Sequence, residues 1–317
     1  MTVSLTLFST CKPFVGDTAG FQSRALATWA RLPSTEVILV GDEPGVAEAA
    51  ASVGARVLPP VETNEFGTPR LDALFRAAED AAEGENLCYV NADILLPTGL
   101  VTALGEIAER LPRFLAIGRR VNVAVDRVLA REEHADAALD ELSDGGTVEP
   151  LHGGIDLFAY PRGFWRELPP YLVGRGRWDS GLVLAARRQR DPVVDLTPRV
   201  AAVHPAHDHE SSIAVNGAAR LRGEEMQYNR RLLGGAECIF SSINATHVLT
   251  DEGLAPQRLR HPLHMARRFA TLPALYPSLR PLTPLVRWLS PALRGWQPGR
   301  PKTETSPWIE GERPSKP

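Results

Sequence analysis

Hydrophobic and polar positions follow two periods along the first half of the chain, and the alternation between them predicts the order of elements. Residues 3–8 (VSLTLF) alternate as a strand, and the following STCKPFVGDTAG (9–20) reads as a loop. FQSRALATWARL (21–32) has helical spacing, with Phe21, Ala25, Leu26 and Trp29 on one face. EVILVGDE (36–43) predicts a second strand and a turn, Pro44 to Gly54 a short Ala-rich helix, and ARVLPPV (55–61) a third strand. A longer helix opens in GTPRLDALFRAAEDAAEGE (67–85), with Leu71, Leu74, Phe75 and Ala78 as its buried stripe. The apolar run Leu87–Val90 then predicts a fourth strand. Strands alternating with helices imply an α/β fold, with a mostly parallel sheet covered on both faces.

The second half is less regular. LVTALGEIAERL (100–111) is a helix, RFLAIGRR (113–120) a strand, and the acidic, Ala-rich stretch 126–146 an inserted helix and loop. GGIDLFAYPRGFW (153–165) is strand-like, GRGRWDSGLVLAARRQR (174–190) a Gly-rich loop entering a helix, and PVVDLTPRVAAVHPAHDH (192–209) two strands ending in histidines.

With 317 residues, 44% hydrophobic and 23% charged, the chain is long enough for a large packed core. A net charge of −3 directs the whole molecule to neither nucleic acid nor membrane. Cys11, Cys88 and Cys238 are odd in number and far apart, which gives neither a disulfide framework nor a zinc motif and fits a reducing, cytoplasmic setting. The N-terminal MTVSLTLFST reads as a first strand rather than a signal peptide, and no apolar run is long enough to cross a membrane. Charge is uneven, however. Residues 251–300 hold eight arginines against Asp251 and Glu252, a net of +6, and many prolines. That segment is expected to be an extension of a 1–250 catalytic domain, packed against it or lying on the inner face of an anionic membrane. Residues 301–317 are polar and Pro-rich, a composition expected to be disordered.

Four constellations carry candidate chemistry. The polar loop after the first strand offers Ser9, Thr10 and Lys12, where α/β folds receive nucleotides, although no GxGxxG or Walker A pattern is present. Asn91-Ala92-Asp93 puts a carboxylate at the end of a buried strand, where it is either a turn or cap residue or a ligand for a hard cation. Trp178-Asp179 opens a helix behind a glycine-flexed loop, which suits a helix cap or a general base. His204, His207 and His209 crowd around Asp208, a grouping that is either a metal or phosphate site or a solvated polar loop; the helical HExxH geometry is absent, since Pro205 disfavours helix there. Arg119 and Arg120 are candidates to donate hydrogen bonds to phosphate oxygens, and Asp156, which otherwise reads as a strand-end turn, and Trp178 are candidates for contact with a substrate.

In this order the motifs resemble the GT-A glycosyltransferases, in which a helix runs into a strand ending in a DXD metal motif. The resemblance covers residues 1–250. Asn91 stands where the first Asp of that motif belongs and joins the donor-binding set, which leaves Asp93 as the implied ligand. GRGRWDSGLVLAAR resembles the acceptor-side pattern of family 2-like inverting enzymes and implies Asp179 as the base. A histidine after the last strands often completes the metal shell, which points to His204, His207 or His209. The succession also resembles uncharacterised bacterial glycosyltransferase-like proteins. The resemblance implies a GT-A-like fold, Mn²⁺ or Mg²⁺, a nucleoside-diphosphate sugar donor, a hydroxyl acceptor that is a small molecule or lipid-linked, and inversion. The rivals are a nucleotidyltransferase, whose N-terminal Gly-rich loop is missing, a metal-dependent phosphoesterase, and a non-catalytic nucleotide-sugar-binding protein.

Overall fold

The computed structural model describes residues 5–130, 136–151, 153–206, 223–234, 239–286 and 288–289. His207, Asp208, His209, Cys238 and the 301–317 tail lie outside them. The strands are β1 (Leu5–Ser9), β2 (Thr35–Val40), β3 (Arg56–Leu58), β4 (Asn86–Val90), β5 (Leu115–Val123), β6 (Thr147–Val148), β7 (Ile155–Pro161), β8 (Val193–Asp195), β9 (Ala202–Pro205), β10 (His247–Thr250) and β11 (Gly253–Pro256). The helices are α1 (Gly16–Trp29), α2 (Val46–Val53), α3 (Leu71–Ala81), α4 (Gly99–Ala108), α5 (Val125–Leu129), α6 (Asp136–Asp144), α7 (Trp178–Arg188), α8 (Glu224–Leu232), α9 (Pro262–Ala270) and α10 (Leu272–Leu275).

All of these strands join one sheet in the order β11-β10-β8-β5-β7-β4-β1-β2-β3, with β6 and β9 pairing with β5 outside that path. Most pairs are parallel, but β7 runs antiparallel between β4 and β5. The two-residue period of the central strands divides their side chains between two cores. Leu5, Leu7, Val37, Leu39, Cys88 and Val90 pack under α1, α2 and α4. Their neighbours Phe8, Ile38, Val40, Leu87 and Tyr89 pack with α3 and α7 on the other face. A smaller cluster of Leu95, Val121, Val123, Leu139 and Val203 covers the far end of β5.

Local structure departs from the pattern reading in places. Helix α1 begins at Gly16, inside the stretch read as loop, and β5 continues to Val123 rather than stopping at Arg120. The sheet also continues past residue 250. Strand β11 pairs with β10, so one of the two edge strands of the sheet's path belongs to the basic segment expected to be an extension. Further along that segment the chain is fastened to the body around residues 271–274, where Asn244 Nδ2 donates to Thr271 Oγ1 at 2.8 Å and Arg188 donates to the Ala274 carbonyl.

Candidate active site

The carboxyl ends of β1, β4, β5 and β9 and the amino end of antiparallel β7 meet at one edge of the sheet. The loop after β4 is clasped from two sides. Trp29 Nε1 donates to the Ile94 carbonyl at 2.8 Å, and the Leu96 N–H donates to Thr28 Oγ1 at 3.1 Å, both from the last turn of α1. On the other side Leu95 and Val203 exchange backbone hydrogen bonds of 2.9 and 3.0 Å. That bridge sets Asp93 beside His204, with His204 Nε2 3.7 Å from Asp93 Oδ2.

A buried polar network runs on from His204. Strand β9 pairs with β5 in a register that sets His204 opposite Asn122, and His204 Nδ1 lies 2.9 Å from Asn122 Oδ1. Asn122 Nδ2 donates to Glu149 Oε1 at 2.9 Å, and Arg120, on the same face of β5 two residues earlier, binds that oxygen through Nη2 at 3.0 Å. Arg120 Nη1 reaches Asp156 Oδ2 at 3.2 Å, and Asp156 Oδ1 accepts from Asn91 Nδ2 at 2.6 Å. Asn91 Oδ1 in turn accepts from the Tyr89 hydroxyl, which also hydrogen-bonds with Thr10.

The charges in this cluster are tuned by burial and by one another. Burial pushes the Asp156 carboxyl up, with Asp93 adding to the rise and Arg120 and His204 opposing it. Burial also raises Asp179, helped by Asp156 and opposed by the Ser180 N–H and Arg177. For Glu149, burial works against ionisation, but the Asn122 amide and Arg120 outweigh it and hold the carboxyl below its ordinary value. Burial first, then Glu43 and Asp93, push the Cys11 thiol up to about 12, so it is protonated at neutral pH and is no nucleophile.

Asp179 arrives from a separate, braced loop. Arg177 caps α7 in the left-handed region at φ 83°, a conformation that costs a non-glycine residue of order 1 kcal/mol or more. Buried Asn229 of α8 holds the loop in place. Its Oδ1 accepts from the Leu172 N–H at 2.8 Å, and its Nδ2 donates to the carbonyls of Leu172, Arg175 and Gly176. Arg175 ties the same loop to Glu225 and Thr68.

The expected site residues thus fall into two groups. Asp93, His204, Arg120, Asn91, Asp156 and Thr10 are joined through the network, and Asp179 sits close enough to Asp156 to feel its charge. Lys12 is exposed at the rim, its backbone clasped by the Gln22 side chain at 2.7 and 2.9 Å. Ser9 and Trp178 are engaged elsewhere, and Arg119 meets the network at its backbone, where Nη1 donates to the Glu149 carbonyl. The Ser9 hydroxyl is fully buried and donates to the Val90 carbonyl at 2.6 Å, which ties β1 to β4. Arg119 pairs with buried Asp195 at 3.5 Å. The Trp178 ring packs in the core against Tyr89 and Phe158, at centroid distances of 5.3 and 5.4 Å. His207 lies outside the described residues. Glu149 and Asn122 are members that pattern reading missed. The two-residue spacing of Arg120 and Asn122 is the signal for Asn122, whereas Glu149 has no local signature.

The donor set suits a divalent cation. Glu149 needs a donor, which fixes the Asn122 amide so that its Oδ1 accepts from His204 Nδ1. In the neutral imidazole Nε2 then carries a lone pair toward the Asp93 carboxylate, and a cation or proton between the two relieves that opposition. Among the described residues no three His, Cys, Asp or Glu gather as a metal-holding group. Asp93 and His204 therefore fit an ion that takes its remaining ligands from a bound substrate.

No protein-family model and no curated protein matches the chain. Among solved structures it is similar to glucosyl-3-phosphoglycerate synthase from Mycobacterium tuberculosis in complex with Mg²⁺ and uridine-diphosphate. Identity there is 16%, over 69% of this chain and 78% of that one, with a TM-score of 0.40. It is similar also to S. aureus TarS 1–349 in complex with UDP-GlcNAc, at 13% identity over 73% of this chain and 70% of that one, with a TM-score of 0.43. These are partial likenesses of an α/β sheet flanked by helices, and at such identities no residue role passes from them to this chain.

Proposed function

We propose that the chain transfers a glycosyl group from a nucleoside-diphosphate sugar to a hydroxyl acceptor, with Asp179 as general base and inversion at the anomeric carbon. The observation that carries this reading is the gathering of Asp93, Asp156 and Asp179 with Arg120 and His204 at the carboxyl-end edge of the sheet, where open α/β folds bind nucleotides. The raised pKa of Asp179 makes it a stronger base than an ordinary surface carboxylate. Asp179 takes the acceptor hydroxyl proton, the acceptor oxygen bonds to the anomeric carbon, and the bond to the diphosphate breaks on the opposite face. Asp93 and His204 would hold Mg²⁺ or Mn²⁺, which supplies charge neutralisation for the departing diphosphate. Lys12 at the rim offers a further cation to phosphate oxygens. Asp156 orients Asn91 and Arg120 through the two hydrogen bonds it accepts.

The test is a panel of nucleoside-diphosphate sugars with Mg²⁺ or Mn²⁺ and a set of hydroxyl acceptors, read as nucleoside-diphosphate release. In Asp179→Asn, turnover is expected to fall roughly 10²–10⁴-fold while donor affinity is kept. Absence of release with every donor refutes the transferase reading, and full activity in Asp179→Asn refutes the base assignment.

A further inference from the structure

We propose that the segment from Arg258 to Leu289 docks the protein on the surface of an anionic lipid bilayer. From Gly253 to Arg300 the sequence holds eight arginines and no Asp, Glu or Lys, in a chain whose net charge is −3. The same segment holds most of the large apolar side chains left in water among the described residues. Met265 is 53% exposed, Phe269 49%, Tyr276 45%, Leu285 48% and Trp288 76%. Met265 and Phe269, four residues apart, share the outward face of α9 with exposed Pro262.

This face is presented by an anchored element. Helix α9 packs on the 3₁₀ turn Ser242–Asn244, and the bonds from Asn244 to Thr271 and from Arg188 to Ala274 fasten the chain immediately after it. The apolar row is therefore held facing outward. Arginine between exposed aromatic and aliphatic side chains suits a bilayer interface, where headgroup phosphates meet the guanidinium and the acyl boundary receives the apolar tip. Prolines divide the segment into short pieces, and no described helix is long and apolar enough to cross a membrane, so the segment lies on the bilayer. Charge complementarity is the argument for lipid phosphate over an uncharged apolar partner.

The surface also borders the candidate site. The Ile243 N–H of the turn under α9 donates to the Leu151 carbonyl at 3.3 Å, two residues beyond Glu149. Docking by this segment therefore holds the network edge of the sheet near the lipid.

The experiment is co-sedimentation of the full chain with vesicles of phosphatidylcholine alone and of phosphatidylcholine mixed with phosphatidylglycerol, at low and high salt. Binding is expected only to the mixed vesicles and is expected to weaken with salt. Replacing the exposed Arg258, Arg260 and Arg280 together by Gln should weaken it roughly 100-fold, since each arginine near an anionic surface contributes independently. Phe269→Ser with Trp288→Ser should lower binding further at high salt. Both variants change exposed positions, and circular dichroism checks that they fold. The proposal is overturned if mixed vesicles are not bound at low salt, if neutral vesicles bind equally, or if folded variants bind like the parent. A dimer that Phe269→Ser breaks, seen by light scattering with no vesicle binding, would assign the face to a second copy and overturn it as well.

Discussion

Asn91 stands where a two-carboxylate metal motif would place an Asp, and the structure supplies a physical reason for the amide. Asn91 Nδ2 donates to Asp156 Oδ1 at 2.6 Å, and Asp156 is only 6% exposed. Asn91→Asp would turn that hydrogen bond into two facing carboxylates, of which one must keep a proton. Suppose the shared proton stays bound to pH 7, against an ordinary carboxylate value near 4. Holding it over those roughly three pH units, at about 1.36 kcal/mol for each, makes about 4 kcal/mol of destabilisation at pH 7. Arg120 at 3.2 Å and partial solvent access at Asn91 reduce this to about 2–4 kcal/mol. The sign follows from linkage. The folded variant binds the proton more tightly than the unfolded chain, so the loss is absent below the ordinary carboxylate range and grows as pH rises through it. Urea denaturation of both proteins from pH 4 to pH 7.5, with chelator present, measures the difference. A variant as stable as the parent at pH 7, or a pH-independent difference, would refute the reasoning. Recovery of stability on adding Mn²⁺ would show that residues 91 and 93 can act together as ligands.

Three further outcomes are expected. Asn229→Ala leaves the buried Leu172 N–H without its acceptor and removes the amide donor shared by three loop carbonyls, so thermal or urea unfolding should show a loss of about 1–3 kcal/mol. A loss within error would mean that water replaces the amide. Gly181→Ala gains about 1 kcal/mol of helix propensity but sets a Cβ 2.4 Å from the buried Tyr171 ring. Overpacking should win, for a net loss of about 1–2 kcal/mol in the same assay, and a stabilised variant would show that Tyr171 yields. Asp93→Ala should abolish metal-dependent donor binding in calorimetry while circular dichroism stays unchanged, and unaltered donor affinity with metal present would remove Asp93 from the ligand set.

The order of strands and helices through Leu96 was legible in the sequence, because the two-residue apolar period and the helical stripes are local properties. Leu5 and Leu7 face one core and Phe8 the other for reasons contained in consecutive residues. Candidate positions at element ends, such as Asp93 after β4 and Asp179 in the first turn of α7, could be picked out for the same reason. Only the tertiary structure decided which of them meet. Strand β7 enters antiparallel between β4 and β5, which puts Asp156 against Asn91, and the register of β9 on β5 puts His204 opposite Asn122. A strand's periodicity states which face each side chain takes and nothing about which strand will be its neighbour, since distant pairing is selected by burial of the whole sheet. That selection also turned Ser9 and Trp178 inward, paired Arg119 with Asp195, and brought Glu149 into a network that no motif announced.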